Sequence, residues 1–141
     1  MKQSFHYLLM ANQAIIHKKL LNALSDTELT LGHPKVLDYL KDHNGANQKE
    51  IAKSCHIEPA SLTAVLKGME SKHLIERKML DGNRRSLHVF LTSKGKKMVE
   101  RVETEFITLE DMAFDGLSPE QIKHFLDTFQ QIYVNLSKEI Q

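Results

Sequence analysis

The segment of residues 59–72 is the feature that most limits how this chain folds. Four of its apolar residues recur at helical spacing and share one narrow face: Leu62, Val65, Leu66 and Met69. The opposite face is small and nearly uncharged: Ala60, Ala64, Lys67 and Ser71, flanked by Thr63 and Gly68. A mid-helix glycine costs about 1 kcal/mol relative to alanine, so Gly68 also indicates a close approach. A surface helix that tolerates small residues is one interpretation; a helix that lies deep in a groove is the other.

A short helix and a turn precede this segment. Asn47, followed three residues later by Glu50, is typical of a helix N-cap. The helix that it starts is expected to end at Ser54 or Cys55, and Pro59 favours the first turn of the next helix. The sequence therefore predicts two helices joined by a tight turn.

A β-hairpin is predicted directly afterwards. Residues 74–80 are strand-like, and residues 81–83 (Asp-Gly-Asn) are a strong turn signal. In the returning strand apolar residues alternate with others, as in a half-buried strand: Leu87, Val89 and Leu91 against Ser86, His88 and Phe90. Arg84 and Arg85 follow the turn, and a thin hairpin tip carrying arginine suits the negative potential of a DNA minor groove.

Helices are predicted on both sides of residues 47–92. An amphipathic helix covers residues 4 to about 24, and Pro34 starts another that ends near residues 43–45. Thr92 or Ser93 caps a long helix that breaks at residues 116–117, and the sequence Ser-Pro-Glu-Gln at 118–121 starts the last one. Because the last helix is apolar almost to its end, it needs a partner, which the first helix and a second subunit would supply.

The charge is unevenly distributed along the chain. The total is +1, but residues 47–101 carry +6, residues 102–141 carry −6 and residues 1–46 carry +1. A basic centre beside an acidic end supports nucleic-acid binding by the central segment.

Several other classes of protein are disfavoured. The sequence has no run of eighteen apolar residues and no secretory signal, and its one cysteine, Cys55, fits a reducing cytoplasm. The eight histidines show no paired metal-ligand spacing. No nucleophile elbow, phosphate loop or catalytic carboxylate pair is visible. We therefore expect a cytoplasmic protein that is not an enzyme and has no cofactor and no metal site.

The central segment resembles the MarR family of bacterial and archaeal transcription regulators. The resemblance covers most of the chain and is strongest in SLTAVLKGMESKHLIER, which is similar to the family's recognition helix, and in DGNRRSLHVFLTSKG, which is similar to its wing. It implies a mainly α-helical fold with a small β-hairpin wing, a winged helix-turn-helix with N- and C-terminal dimerisation helices. It also implies a homodimer that binds a pseudo-palindromic DNA operator, usually represses, and releases DNA when a small ligand or an oxidant arrives.

The resemblance divides the chain into three parts. Residues 1–30 are expected to form an N-terminal dimerisation helix. Residues 31–92 are expected to form the DNA-binding lobe, with the recognition helix at about 59–72 and the wing at about 74–91. Residues 93–141 are expected to form the long helix and a terminal dimerisation helix.

DNA contacts are assigned to two groups of residues. The recognition-helix group offers hydroxyls, methyls and one ammonium group to base edges and phosphates: Ala60, Ser61, Thr63, Ala64 and Lys67. The wing group is Asn83, Arg84, Arg85 and Ser86. We favour Arg85 as the residue inserted into the minor groove and Arg84 as its structural partner. Lys94, Lys96 and Lys97 are candidates for phosphate contacts, with a solvated helix face as the alternative.

Three residues depart from the family pattern. Asn83 stands where an aspartate usually braces a wing arginine, so it offers a neutral hydrogen bond, or Asp81 substitutes for it. His56 stands at the usual glycine of the turn, where we expect a positive φ. Cys55 replaces a buried leucine and is expected to be an inert thiol.

Two alternatives remain open at the level of sequence. One is a winged-helix protein-interaction module that does not bind DNA. The other is a regulator of the same family that senses an oxidant or a metal. The sequence identifies neither the small-molecule effector nor its binding residues.

Overall fold

The computed structural model describes residues 3–30, 32–80, 82 and 86–138. Its elements follow one another as eight helices and strands: α1 (Phe5–Ala23), α2 (His33–Asp42), α3 (Gln48–Cys55), α4 (Pro59–Ser71), β1 (Ile75–Met79), β2 (Leu87–Leu91), α5 (Ser93–Ala113) and α6 (Pro119–Ser137). The chain divides into two compact units, Met1–Leu109 and Glu110–Gln141. The predicted fold class, mainly helical with one small hairpin, is confirmed.

Side-chain caps explain where several helices begin. Asn47 accepts a hydrogen bond from the amide of Glu50 at 2.8 Å and donates one to its carboxylate at 3.2 Å. Ser118 and Gln121 form the complete reciprocal capping box that their spacing predicts. At the start of α5 the cap is Thr92, whose hydroxyl accepts from the amide of Gly95 at 2.9 Å.

The core of the first unit lies beneath α4. Leu62, Leu66 and Met69 are fully buried there. They belong to one apolar cluster that also contains residues of α2, α3, β1, β2 and α5: Val36, Leu37, Leu40, Ile51, Ala52, Cys55, Ile75, Val89, Val99 and Val102. Because each of the three α4 side chains contributes about 2 kcal/mol by leaving water, the apolar face fixes which side of α4 points outward.

The hairpin is covered on more sides than its alternation predicts. Only Val89 is buried in β2, while the other four residues of the strand, His88 and Phe90 among them, are half-buried. The turn before α3 covers the other side of β2. Val89 forms backbone hydrogen bonds with Gly45 at 2.8 Å and with Ala46 at 2.9 Å. Gly45 has a φ of +89°, and the ring of Phe90 lies over it too closely to leave room for a side chain.

An arginine joins α1 to α5 in the first unit. Arg101 donates to both carboxylate oxygens of Asp26, at 2.7 and 2.9 Å, and to the carbonyl oxygen of Ala23 at 2.8 Å. A further hydrogen bond of 3.2 Å reaches Glu105. The Arg101 guanidinium lowers the pKa of Asp26, so the pair is ionised near neutral pH.

The second unit contains α6, which has no buried residue in its described length. Phe125 packs edge-on against Phe114 and stacks on Phe129. The described residues contain no helix that has both the length and the apolar character needed to span a membrane.

Gly95 allows the start of α5 to lie directly against the backbone that joins α4 to β1. A Cβ at this position would overlap the carbonyl oxygen of Leu74, which accepts a hydrogen bond from the amide of Thr92 at 3.1 Å. We expect Gly95→Ala to destabilise the protein by about 3 kcal/mol, because the backbone must move to admit the methyl group. Chemical denaturation measures this, with Lys97→Ala on an exposed position of α5 as the control. Equal stability of the two variants would contradict the account.

Candidate nucleic-acid interface

The five recognition-helix candidates all lie on the outer side of α4. Ala60, Ser61, Thr63, Ala64 and Lys67 are exposed. At 100° per residue they span about 160° of the helix circumference, opposite the buried face. Lys67 forms no ion pair within the described parts of the chain, so its ammonium group is available. The structure therefore brings these five side chains together on one open surface, which we call the α4 outer face.

The hydroxyl group of Thr63, on the α4 outer face, has a fixed orientation. Its hydroxyl donates a hydrogen bond to the carbonyl oxygen of Pro59 at 3.0 Å, one turn earlier. The hydroxyl proton is therefore committed to the helix, and Thr63 offers a methyl group and an acceptor oxygen to a partner.

Gly68 belongs beside α2 and not to the α4 outer face. A Cβ at Gly68 would lie 3.4 Å from Nε2 of His33, which is itself only 4% exposed. Nδ1 of His33 accepts a hydrogen bond from the amide of Thr30 at 3.2 Å. Burial, with a contribution from the charge of Lys72, lowers the pKa of His33 to about 4, so the ring beside α4 is neutral at neutral pH.

The tip of the hairpin lies largely outside the described residues. Asn83, Arg84 and Arg85 belong to that undescribed part, as does Asp81, and their assignments stay predictions. Gly82 has a φ of +68°, as the turn signal predicts. Ser86 is half-buried and directly precedes β2.

Lys94 is held by the end of α4. Its ammonium group donates to the carboxylate of Glu28 at 3.0 Å and to the carbonyl oxygen of Lys72 at 2.9 Å. Hydrogen bonding to Lys94 lowers the pKa of Glu28. Lys94 thus interacts with the C-terminal end of the α4 dipole and with the connection before α2, although it is exposed, as Lys96 and Lys97 are.

Arg77 is an important side chain of the site that the sequence interpretation missed. It donates to both carboxylate oxygens of Glu70, at 3.2 and 3.0 Å, and to Oε1 of Gln48 at 3.2 Å. The hydrogen bonds from Arg77 lower the pKa of Glu70. The alternating charges of residues 76–78 gave no signal that the middle one would turn inward.

The turn residues behave as their types predict. His56 has a φ of +54°. Cys55 is buried, as predicted, and its thiol lies 3.8 Å from the carbonyl oxygen of Lys35. Burial raises the pKa of the thiol. A raised pKa disfavours the reactive thiolate. The described residues contain no cluster of three or more metal-ligating side chains.

Two helices joined by a tight turn, an exposed face on the second and a hairpin directly after it define a winged helix-turn-helix. The sequence model of the MarR family matches residues 29–87. The chain is also similar to the HTH-type transcriptional repressor Rv2887 of Mycobacterium tuberculosis, with 26% identity over 119 residues, 84% of this chain and 86% of the relative.

Solved structures of complexes with DNA are similar as well. The repressor CouR, bound to a 23-mer DNA duplex, has a TM-score of 0.82 and 27% identity, with 92% of each chain covered. The MepR–DNA complex of S. aureus has a TM-score of 0.87 and 24% identity, with 96% of this chain and 99% of that one covered. Together these matches support a winged helix-turn-helix regulator of the MarR family that binds DNA.

The buried His33 predicts a loss of stability in acid. Its pKa is about 4 in the folded state and 6.5 in the ordinary case, so between these values the unfolded chain binds a proton that the folded chain does not. The contribution of His33 is therefore complete above pH 6.5 and is lost as the pH falls toward 4, by at most about 3 kcal/mol.

The variant His33→Asn tests this, because its amide oxygen can accept the same hydrogen bond from Thr30. We expect the free energy of unfolding of the wild type to fall more steeply than that of the variant between pH 7 and pH 4. Parallel pH profiles in urea titrations would rule out the assignment.

Proposed function

We propose that this chain is a homodimeric repressor that places α4 in the major groove of a pseudo-palindromic operator and its hairpin tip in the adjoining minor groove. The observation that carries the proposal is the α4 outer face, which is open, small and rigidly backed by the core. An α-helix with small side chains can lie close to the base edges of a major groove.

Each residue of the α4 outer face has a chemical role in this proposal. Ala60 and Ala64 offer methyl groups that suit the methyl group of thymine. Thr63 can accept from the amino group of adenine or cytosine, since its own proton is engaged, and Ser61 can donate or accept. Lys67 contacts a phosphate or the acceptor edge of guanine.

The wing supplies the second contact. We propose that Arg85 enters the minor groove, that Arg84 braces it, and that Asn83 and Ser86 shape the tip. The net charge of +6 on residues 47–101 supports this part of the proposal, because phosphate neutralisation dominates the affinity of such proteins for DNA.

Dimerisation is proposed from the apolar residues that remain exposed in the single chain. In α1 they are Phe5, Tyr7, Leu8, Leu9, Met10, Ile15 and Ile16, and in α6 they are Phe125, Leu126, Phe129, Tyr133, Val134 and Leu136. Exposed large apolar residues concentrated on a helix are typical of a protein–protein interface. We assign residues 1–30 to an N-terminal dimerisation helix, residues 31–92 to the DNA-binding lobe, and residues 93–141 to the long helix and a terminal dimerisation helix.

Repression and ligand response complete the proposal. The printed names of Rv2887 and CouR describe them as repressors, which supports the same sign of regulation here. We propose a cytoplasmic location and an unidentified small-molecule effector. The burial of Cys55 and its raised pKa favour such an effector over an oxidant.

The dependence of DNA binding on salt tests the proposal. With a duplex enriched from a random-sequence library, the affinity should fall linearly on a double-logarithmic plot against salt, because binding releases condensed counterions. We expect Lys67→Ala to lower the slope by about one unit if Lys67 meets a phosphate. Lys123→Ala, on an exposed position of α6, serves as the control. Failure to enrich any duplex would favour a protein-interaction module.

A further inference from the structure

The guanidinium of Arg77 joins three elements of the DNA-binding lobe. It leaves β1, makes a two-pronged contact with Glu70 in the last turn of α4, and reaches Gln48 at the first position of α3. The side chain of Arg77 is only 19% exposed, whereas that of Glu70 is 41% exposed. The group is therefore enclosed by the strand and both helices.

Arg77 stands where the core side of β1 passes from buried to exposed. Ile75, Arg77 and Met79 share one side of the strand, because side chains alternate. Along that side Ile75 is buried, Arg77 is half-buried and Met79 is exposed. Among the described residues, the Arg77 side chain thus makes the outermost hydrogen bonds between β1 and the helices.

The two strands of the hairpin are held differently. β2 is fixed to the turn before α3 by the backbone hydrogen bonds of Val89 to Gly45 and Ala46, and by the contact of 2.7 Å between Nδ1 of His88 and the carbonyl oxygen of Gly45. β1 pairs with β2 on one side, with Arg77 opposite Val89. Among the described residues, its hydrogen bonds to α3 and α4 beyond Leu74 come from the Arg77 side chain.

We infer that Arg77 is a positioning residue for DNA binding, which holds the hairpin at the angle to α3 and α4 that lets the wing and the α4 outer face reach neighbouring grooves together. The inference rests on the proposed mode of DNA binding. It adds a role for a residue that lies behind the interface and contacts no DNA itself.

A small change in the angle between the hairpin and the helices α3 and α4 would move the hairpin tip by a large distance. The arm from Arg77 to Gly82, five positions further along the chain, is at most roughly 16 Å long, which is the span of a fully extended chain. A rotation of the hairpin by roughly 10° about Arg77 would move the tip by about 3 Å on that arm, which is enough to remove an arginine from a narrow minor groove. The α4 outer face would stay in place, because Leu62, Leu66 and Met69 fix it independently.

Arginine suits this role better than lysine. Its planar fork meets the two oxygens of Glu70 and still has a donor for Gln48, so it fixes direction as well as distance. Arg77→Lys keeps the charge but loses the fork. It is therefore the conservative variant that separates positioning from simple charge.

Paired footprinting of both grooves tests the inference, with the duplex that the wild type enriches from a random-sequence library. Hydroxyl-radical cleavage reports the minor groove, and methylation of guanine N7 reports the major groove. We expect Arg77→Lys to bind about tenfold more weakly, to lose minor-groove protection and to keep major-groove protection. Its thermal melting should stay cooperative. Glu70→Gln, which keeps one acceptor oxygen, should show the same selective loss to a smaller extent.

Lys41→Met is the matched control, since it removes ion pairs that include no residue of the hairpin, with Glu103 at 3.6 Å and with Asp38 at 3.9 Å. It should footprint like the wild type. The inference is wrong if Arg77→Lys and Glu70→Gln protect both grooves as the wild type does, or if they lose both protections together. If the wild type enriches no duplex at all, the proposed function fails and not this assignment alone.

Discussion

The burial of Leu62, Leu66 and Met69 is the constraint on which the rest of the structure depends. These three side chains lock one side of α4 into the core, and the helix geometry then places Ala60, Ala64 and Lys67 outward without any further interaction. The small outward residues can form a defined surface because the buried inward residues fix the orientation of the helix. A reading helix needs a fixed orientation as much as it needs an open face.

Charged side chains organise what the apolar core leaves free. Arg101 ties the end of α1 to α5, Lys94 ties the connection before α2 to the end of α4, and Arg77 ties β1 to α3 and α4. Each of the three lies at the margin of the core, where exposure weakens a single ion pair. Their common feature is several hydrogen bonds from one cation to two parts of the chain, which gives direction to the elements that it joins.

The local signals of the sequence predict much of this fold. The caps at Asn47 and Ser118 begin helices as their spacing indicates, and the helical periodicity of residues 62–69 identifies the buried face of α4. These features succeed because they depend on neighbours within one turn of helix. The contact of Gly68 with His33 was not predictable in this way, since it joins two elements far apart in sequence.

The same reason explains the other differences. Gly95 carries no visible signal, because its constraint is the carbonyl oxygen of Leu74 across the start of α5. The alternating sequence of β2 predicts one buried side, and it gives no signal of the turn before α3 that covers the other side. In the sequence Lys94 is not distinguishable from Lys96 and Lys97, because its partner Glu28 is far away along the chain. The DNA contacts of the α4 outer face and of the wing remain predictions at the level of single residues.

A titration followed by amide NMR tests the central claim most directly. With an assigned spectrum and the enriched duplex, we expect the largest chemical-shift changes at Ala60, Ser61, Ala64 and Lys67, and small changes on the buried face of the same helix. The account is contradicted if the duplex binds while these four amides stay unchanged and the perturbed residues lie on another surface.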